Sequence, residues 1–260
     1  MVAEVNKPAI PKVSVVMAAY NEESNICFAI ESILNQTYKS WELILINDCS
    51  SDSTLKLMEL YKENDRVKIV NNLNNFGLAK SLNLGISEAS GTFIARMDAD
   101  DLSKPDRLAL QISFMELHPS VDVLGGGAEY FNNKKSRMIV MPKEHSTIKN
   151  FIKKSSPFIH PSVMYKRTFI ERLGGYNEYS LRAEDYDLWY RGINNSNYYN
   201  LSEPLIEYKE EHKKIMRSTM DCAKVRFKYN PSKLSALYWT VVQLLFLIKN
   251  KLYDDVTNLK

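Results

Sequence analysis

The chain has 260 residues, a formal net charge of +3, 45% hydrophobic and 25% charged residues. This is the make-up of an ordinary globular protein, long enough for one large α/β domain with a small appendage. The composition argues against disorder and the slight charge against a nucleic-acid partner. Three cysteines, Cys27, Cys49 and Cys222, lack the CxxC spacing of a zinc site and are an odd number for a disulfide framework.

The chain opens on an apolar, β-rich run at 13–18, followed by Ile26, Ala29, Ile30, Ile33 and Leu34 at helical spacing within 24–34. The first run passes into Tyr20-Asn21-Glu22-Glu23 without a small-residue cleavage site, so no secretory signal is expected, and a reducing cytoplasm suits the free thiols. The strand-helix pattern recurs three times, as 43–46 with 53–61, 67–70 with 78–89, and 92–97 with 107–117. Strands that read as continuous apolar runs between helices predict a mostly parallel, doubly wound sheet covered on both faces. A further strand is expected at 121–128, where Gly125-Gly126-Gly127 lets the backbone bend or approach a neighbour closely. Neither GxGxxG nor GxxxxGK[ST] is present, so the triplet is a weak phosphate signal.

From Asn132 the texture changes to short segments with turns at Asn132-Asn133, Pro142 and Pro157, which reads as a lid or acceptor-side region built onto the same sheet. The stretch 234–248 is apolar and helical but shorter than the ~20 residues that span a bilayer. Lys224, Arg226, Lys228 and Lys233 precede it, and Lys249 and Lys251 follow. Such a helix either lies on an anionic membrane face, with Tyr238 and Trp239 at headgroup level, or packs against protein. Ser235, Thr240 and Gln243 give it only a thin polar stripe.

Five constellations fall at strand ends or in loops. Ala19, Tyr20 and Glu22 follow the first strand, where the backbone and the Tyr20 ring suit a base or ribose, or simply begin a helix. Asn47-Asp48-Cys49-Ser50-Ser51-Asp52-Ser53-Thr54 follows the second; Asp48 suits an imide N–H, and Asp52 reads as a helix N-cap. Asn75 and Gly77 mark a tight turn after the third, with Lys80 in reach of a phosphate. The fourth is Arg96-Met97-Asp98-Ala99-Asp100-Asp101, where a strand delivers acids to the crevice in which open α/β sheets bind ligands. Clustered carboxylates suit a hard ion such as Mg²⁺ or Mn²⁺ bridging a phosphate, or else cap the next helix. Leu102 and Pro105 exclude a calcium EF-hand there. The fifth is Glu184-Asp185-Tyr186-Asp187 at a helix entry. Acids there oppose the macrodipole, yet a carboxylate crowded by two others becomes a usable general base, and Asp185 is favoured for that role. His160 and His212 are each candidates to touch phosphate, metal or acceptor, or are simply packed or exposed.

In this order the motifs resemble the family 2 glycosyltransferases of the GT-A fold. The resemblance runs from about Val13 to His212 and is carried by Ser14-Val15-Val16 to Tyr20-Asn21-Glu22, 47–54, Asn75-Phe76-Gly77-Leu78, Met97 to Asp101, His160-Pro161-Ser162-Val163 and 183–189. It implies that Asp48 reads a uracil, Asp98 holds the ribose side, Asp100 binds a divalent ion on the diphosphate, and Asp185 is the base of an inverting displacement. Departures are Ala18 for Pro, Asn47 for Asp, and Cys49 and Ser53 for Gly, all beside the implied contacts. Residues 1–131 are then a nucleotide-sugar half, 132–215 an acceptor and catalytic-base half of the same domain, and 216–260 a helical tail. By analogy with enzymes of O-antigen, lipopolysaccharide, capsule or exopolysaccharide synthesis, the expected activity is hexosyl or N-acetylhexosaminyl transfer to a lipid-diphosphate acceptor. The expected place is the cytoplasmic face of the inner membrane. A nucleotidyltransferase would present a Gly-rich basic loop where Tyr20-Asn21-Glu22-Glu23 stands; a nucleotide-sugar sensor would need no acid cluster at Glu184-Asp185; a glycosidase would need neither nucleotide nor metal.

Overall fold

The computed structural model describes residues 11–132, 135–180, 182–209 and 215–257. Its first half alternates as the periodicity predicts: β1 (Val13–Ala19), α1 (Ile26–Leu34), β2 (Trp41–Asn47), α2 (Thr54–Met58), β3 (Val67–Asn71), α3 (Leu78–Ser87), β4 (Phe93–Asp98), β5 (Leu102–Ser103) and α4 (Arg107–Leu117). The helix expected at 53–61 is one short α-helix tightening into a 3-10 turn over Glu59–Tyr61. The second half holds β6 (Val123–Asn132), β7 (Lys135–Ile139), α5 (His145–Phe151), β8 (Met164–Lys166), α6 (Arg167–Arg172), α7 (Glu184–Gly192), β9 (Tyr198–Lys209), α8 (Ile215–Tyr229) and α9 (Lys233–Thr257).

These strands form one nine-stranded sheet in the order β3-β2-β1-β4-β8-β6-β9-β5, with β7 on β6. Strands β3, β2, β1 and β4 are parallel, and β8 runs antiparallel to β4 and β6. The register pairs Ala18 with Asp98, Ala19 with Asn47, and Asn47 with Asn71, so the four motif-bearing loops leave the sheet along one edge. A loop set gathered there is where open α/β sheets bind ligands.

The alternation of β1 serves both faces. Val13, Val15 and Met17 join α1 and α4 in one core through Ile26, Ile30, Leu108 and Ile112. Val16 joins Ile44, Ile46, Ile94, α3 and the ring cluster of Tyr165, Phe169 and Trp189 in the other. The Gly125-Gly126-Gly127 triplet serves packing rather than phosphate. A Cβ on Gly125 would lie 2.2 Å from Asn200 Oδ1 and 2.5 Å from the Phe158 ring, and the β6–β9 pairing shifts register there.

Candidate active site

The loops after β1 and β2 are laced together by their own polar groups. Asn21 N–H donates to Ser50 Oγ (3.0 Å), Glu22 N–H to Thr54 Oγ1 (2.7 Å), and Ser51 N–H to Asn21 Oδ1 (2.8 Å). Asn21 and Cys49 take left-handed φ values of 56° and 61°, so the Cys49 position is one where glycine would be free of strain. Asp52 is not the N-cap of α2. That position is Ser53, and the Asp52 carboxylate accepts instead from Thr54 N–H and Oγ1–H at 2.9 and 2.6 Å.

Asp48 is buried and organises the third loop. Its carboxylate accepts from Asn72 Nδ2 (2.8 Å), Phe76 N–H (2.9 Å) and Gly77 N–H (2.8 Å), which fixes the turn that Gly77 makes at φ 85°. Three of about four lone-pair positions are thereby taken, leaving one for a further donor. Tyr20 and Asn75 are exposed beside this wall. Lys80 is exposed, with its ammonium 4.0 Å over the Phe76 ring.

Ligand oxygens of Asp98, Asp100 and Asp101 lie within 4.8 Å of one another at the end of β4. Burial, then the charges of Asp98 and Glu22, pushes Asp100 up to about 6. Arg96 is buried and ion-paired with Asp98, and that carboxylate holds the guanidinium in its charged form. Beneath it lies a second buried guanidinium that sequence reasoning missed. Arg107 donates from Nη2 to Arg96 O (2.8 Å), and burial, with Arg96 next, pushes it down to about 9. Its helical spacing marked it only as part of α4. An oxygen-rich, electron-dense cluster with one paired cation fits a hard divalent ion held by Asp100, with Asp98 and Asp101 alongside.

Two cavities flank this cluster. One, of about 380 Å³, lies between the start of α1 and the β5–β9 edge, walled by Asn25, Phe28, Asp100, Glu207 and Tyr208. The other, of about 360 Å³, joins Arg96 and Asp98 to His160, Glu184, Asp185 and Tyr208. Topology brings these together, since β4 lies more than sixty residues before both the turn at His160 and the start of α7 along the chain, yet all three meet at the sheet edge. Asn75, Gly77 and Lys80 line neither cavity. Tyr208 lines both and faces Tyr130 with ring centroids 5.0 Å apart; the sequence offered no periodic signal for either ring. His212 lies outside the described residues.

Asp185 accepts a hydrogen bond from Ser156 Oγ at 2.9 Å, and burial raises its pKa. Burial, then the Asp185 charge, pushes Glu184 up to about 7. Asp187, by contrast, does not crowd them. Its carboxylate accepts from Arg191 Nε (2.7 Å), Asn177, Ser180 and Tyr229, and these bonds hold its pKa low against its burial. The raised pKa of Asp185 therefore comes from burial rather than from crowding by two acids. His160 bonds through Nε2 to Tyr176 OH (2.9 Å), and burial, with Arg96 next, keeps the ring neutral.

A metal-suited acid cluster that reaches, through Asp98, the cavity of a buried carboxylate with a raised pKa is an arrangement chemically suited to group transfer. Residues 14–174 match the family described as Glycosyl transferase family 2, and the chain belongs to that family, with its GT-A fold and glycosyltransferase class. It is 40% identical over 209 residues to the Bacillus subtilis (strain 168) "Putative glycosyltransferase EpsE", covering 77% of this chain and 74% of that one. It is 32% identical over 238 residues to the Escherichia coli "UDP-Gal:alpha-D-GlcNAc-diphosphoundecaprenol beta-1,3-galactosyltransferase", covering 88% and 82%. Among solved structures, S. aureus TarS 1-349 in complex with UDP-GlcNAc superposes with a TM-score of 0.68 at 20% identity, over 90% of this chain and 71% of that one.

Proposed function

We propose that this protein is an inverting glycosyltransferase that moves a sugar from a UDP-sugar to a hydroxyl of a lipid-diphosphate-linked saccharide, forming a β-glycoside during surface polysaccharide synthesis. The observation that carries the reading is the single cavity on which Asp98, at the end of β4, and Asp185, at the start of α7, both open. The E. coli relative, named for a UDP-Gal donor and a diphosphoundecaprenol-linked acceptor, supports the substrate class.

In this reading Ala19, Tyr20 and the free lone pair of Asp48 hold the uridine, with Asn75, Gly77 and Lys80 bordering it and Asp98 on the ribose side. Residues 1–131 thus serve the donor and 132–215 the acceptor. Asp185, kept basic by burial and oriented by Ser156, takes the proton of the acceptor hydroxyl. The hydroxyl oxygen forms its bond to the anomeric carbon as the bond to the diphosphate oxygen breaks, on the opposite face. Glu184 and His160 border the acceptor, the neutral ring offering a hydrogen bond without charge. When bound, Mn²⁺ or Mg²⁺ on Asp100 supplies Lewis-acid neutralisation of the leaving diphosphate. A polyprenol diphosphate stays in its bilayer, so the protein works peripherally at the cytoplasmic membrane face. Among the described residues no helix is long and apolar enough to cross a membrane.

The test is UDP release from a panel of UDP-sugars, with and without a lipid-diphosphate saccharide. Release should depend on the acceptor, and Asp185→Asn should lower kcat by about 10²–10⁴ with UDP affinity nearly unchanged. Normal turnover in that variant would remove Asp185 from the chemistry; tight UDP binding without transfer to any acceptor would leave a nucleotide-sugar sensor.

A further inference from the structure

Helix α9 is amphipathic with its sides reversed. Its polar stripe looks inward. Arg226 of α8, fully buried, donates to Gln243 Oε1 (2.6 Å) and to Lys154 O (2.9 Å), and Gln243 Nε2 donates to the same carbonyl (3.0 Å). Ala236 is buried, Thr240 Oγ1 donates to its carbonyl oxygen (2.8 Å), and Trp239 lies under the Lys154 ammonium at 4.5 Å. The outward side carries Leu234, Leu237, Tyr238, Val241 and Leu245, each 44–81% exposed. These follow one another at three- and four-residue spacing, so they form a continuous apolar stripe along three turns. A helix on a freely dissolved protein buries that face; one left open marks an interaction surface.

Charge identifies the occupant. Between Lys213 and Lys251 the sequence holds nine Lys and Arg against the single acid Asp221, while the whole chain is only +3, so the remainder is net acidic. Lys233, four residues before Leu237, borders the stripe itself and is exposed, its ammonium donating one bond back to Phe227 O and keeping two N–H groups for the outside. Arg226 is spent on internal bonds and contributes nothing outside. An isologous dimer through this face would oppose two copies of the same cationic segment. An anionic bilayer surface satisfies both the apolar stripe and the charge.

We propose that the outward face of α9 seats the protein on an anionic lipid surface, with the stripe Leu234, Leu237, Tyr238, Val241 and Leu245 in the acyl boundary and Lys233 among the headgroups. The proposal deepens, and rests on, the reading in which the acceptor is lipid-linked. It also explains the position of the site. Helix α8 packs on α7, stacking Tyr229 on Tyr190 with centroids 5.9 Å apart and donating from Tyr229 OH to Asp187 (3.0 Å), and it packs on α9 as well, so the seated helix is joined through α8 to the helix that carries Asp185.

The experiment is co-sedimentation of the full chain, without donor or acceptor, with vesicles of phosphatidylcholine alone or of phosphatidylcholine and phosphatidylglycerol in equal parts. Binding should require the anionic lipid and weaken with salt. The Leu237→Glu/Val241→Glu/Leu245→Glu variant should bind at least about tenfold more weakly, and Lys233→Glu alone severalfold, with circular dichroism and UDP binding unchanged in both. Equal binding to neutral vesicles, or undiminished binding by the triple variant, would overturn the proposal. So would a dimer in sedimentation that the triple variant dissociates while vesicles capture neither protein. Since no sugar transfer is read, failure here leaves the transferase reading intact, and a vesicle-binding protein without transferase activity would overturn that reading alone.

Discussion

Arg96 is buried among carboxylates, paired with Asp98, and its charge lowers the pKa of Asp100, Glu184 and Asp185 against the effect of their burial. Removing it leaves buried acids without that counter-charge, so Arg96→Met should cost about 3–5 kcal/mol in urea unfolding at neutral pH. Glu184 gives the site its pH signature. A carboxyl raised from 4.5 to about 7 binds a proton in the folded state that the unfolded state has already released, so its contribution to stability is full below 4.5 and is lost as pH rises through 7. The loss is about 3 kcal/mol, and Glu184→Gln should flatten the slope of stability between those values. Because Glu184 and Asp185 titrate as a pair, kcat/KM of the wild type should rise with pH and level off only above about 7. A flat profile from pH 5 to 8 would contradict that assignment. Of these residues the acids were legible as motifs, whereas the burial that makes them basic, and the pairing that takes Asp187 out of the set, depend on neighbours far along the chain.

At the level of elements, the sheet reads well where strands are uninterrupted and poorly where they are bent. β1 to β4 are continuous apolar runs, and each appears within a residue or two of its expected place. β9, twelve residues long, escaped because Pro204 and the charged Glu203 and Glu207 break its pattern. It survives them because the glycines of β6 let two backbones close together across a bulge between Gly125 and Gly127. Gly125→Ala should therefore overpack Asn200 and Phe158, lowering the urea midpoint by the equivalent of about 1–3 kcal/mol with the m-value unchanged. Phe158 also walls the cavity that holds Asp185 and packs edge-on against Trp189, so in the proposed reading the same change should raise the acceptor KM more than the UDP dissociation constant. The apolar tail helix was legible at 234–248; that its polar stripe turns inward to Gln243, Arg226 and Lys154 was not.

For the molecule as a whole, the two cavities share Tyr208 as a wall and lie on either side of the acid cluster, so the proposed reading has donor and acceptor meet across a single sheet edge. Ligand at the cluster should stabilise the entire fold. UDP with Mn²⁺ at about a hundred times its dissociation constant should add about 2.7 kcal/mol, a rise of about 5–10 °C in Tm. Chelation, or Asp100→Ala, should remove the part due to the ion while leaving the apo Tm within a few degrees. An Asp100→Ala protein that keeps the full Mn²⁺-dependent rise would place the ion elsewhere.

The sequence by itself determined the class of fold, the family and the order of the acidic motifs, because hydrophobic period and strand-end carboxylates are local properties written within ten or so residues. Only the tertiary structure decided which carboxylates lie together. The parallel register brings Asp98 beside the β1 and β2 loops, the antiparallel insertion of β8 carries the His160 turn to the same edge, and α7 presents Asp185 there while turning Asp187 to Arg191. Electrostatic roles depend on distance and burial, and neither is a property of neighbouring residues in the chain.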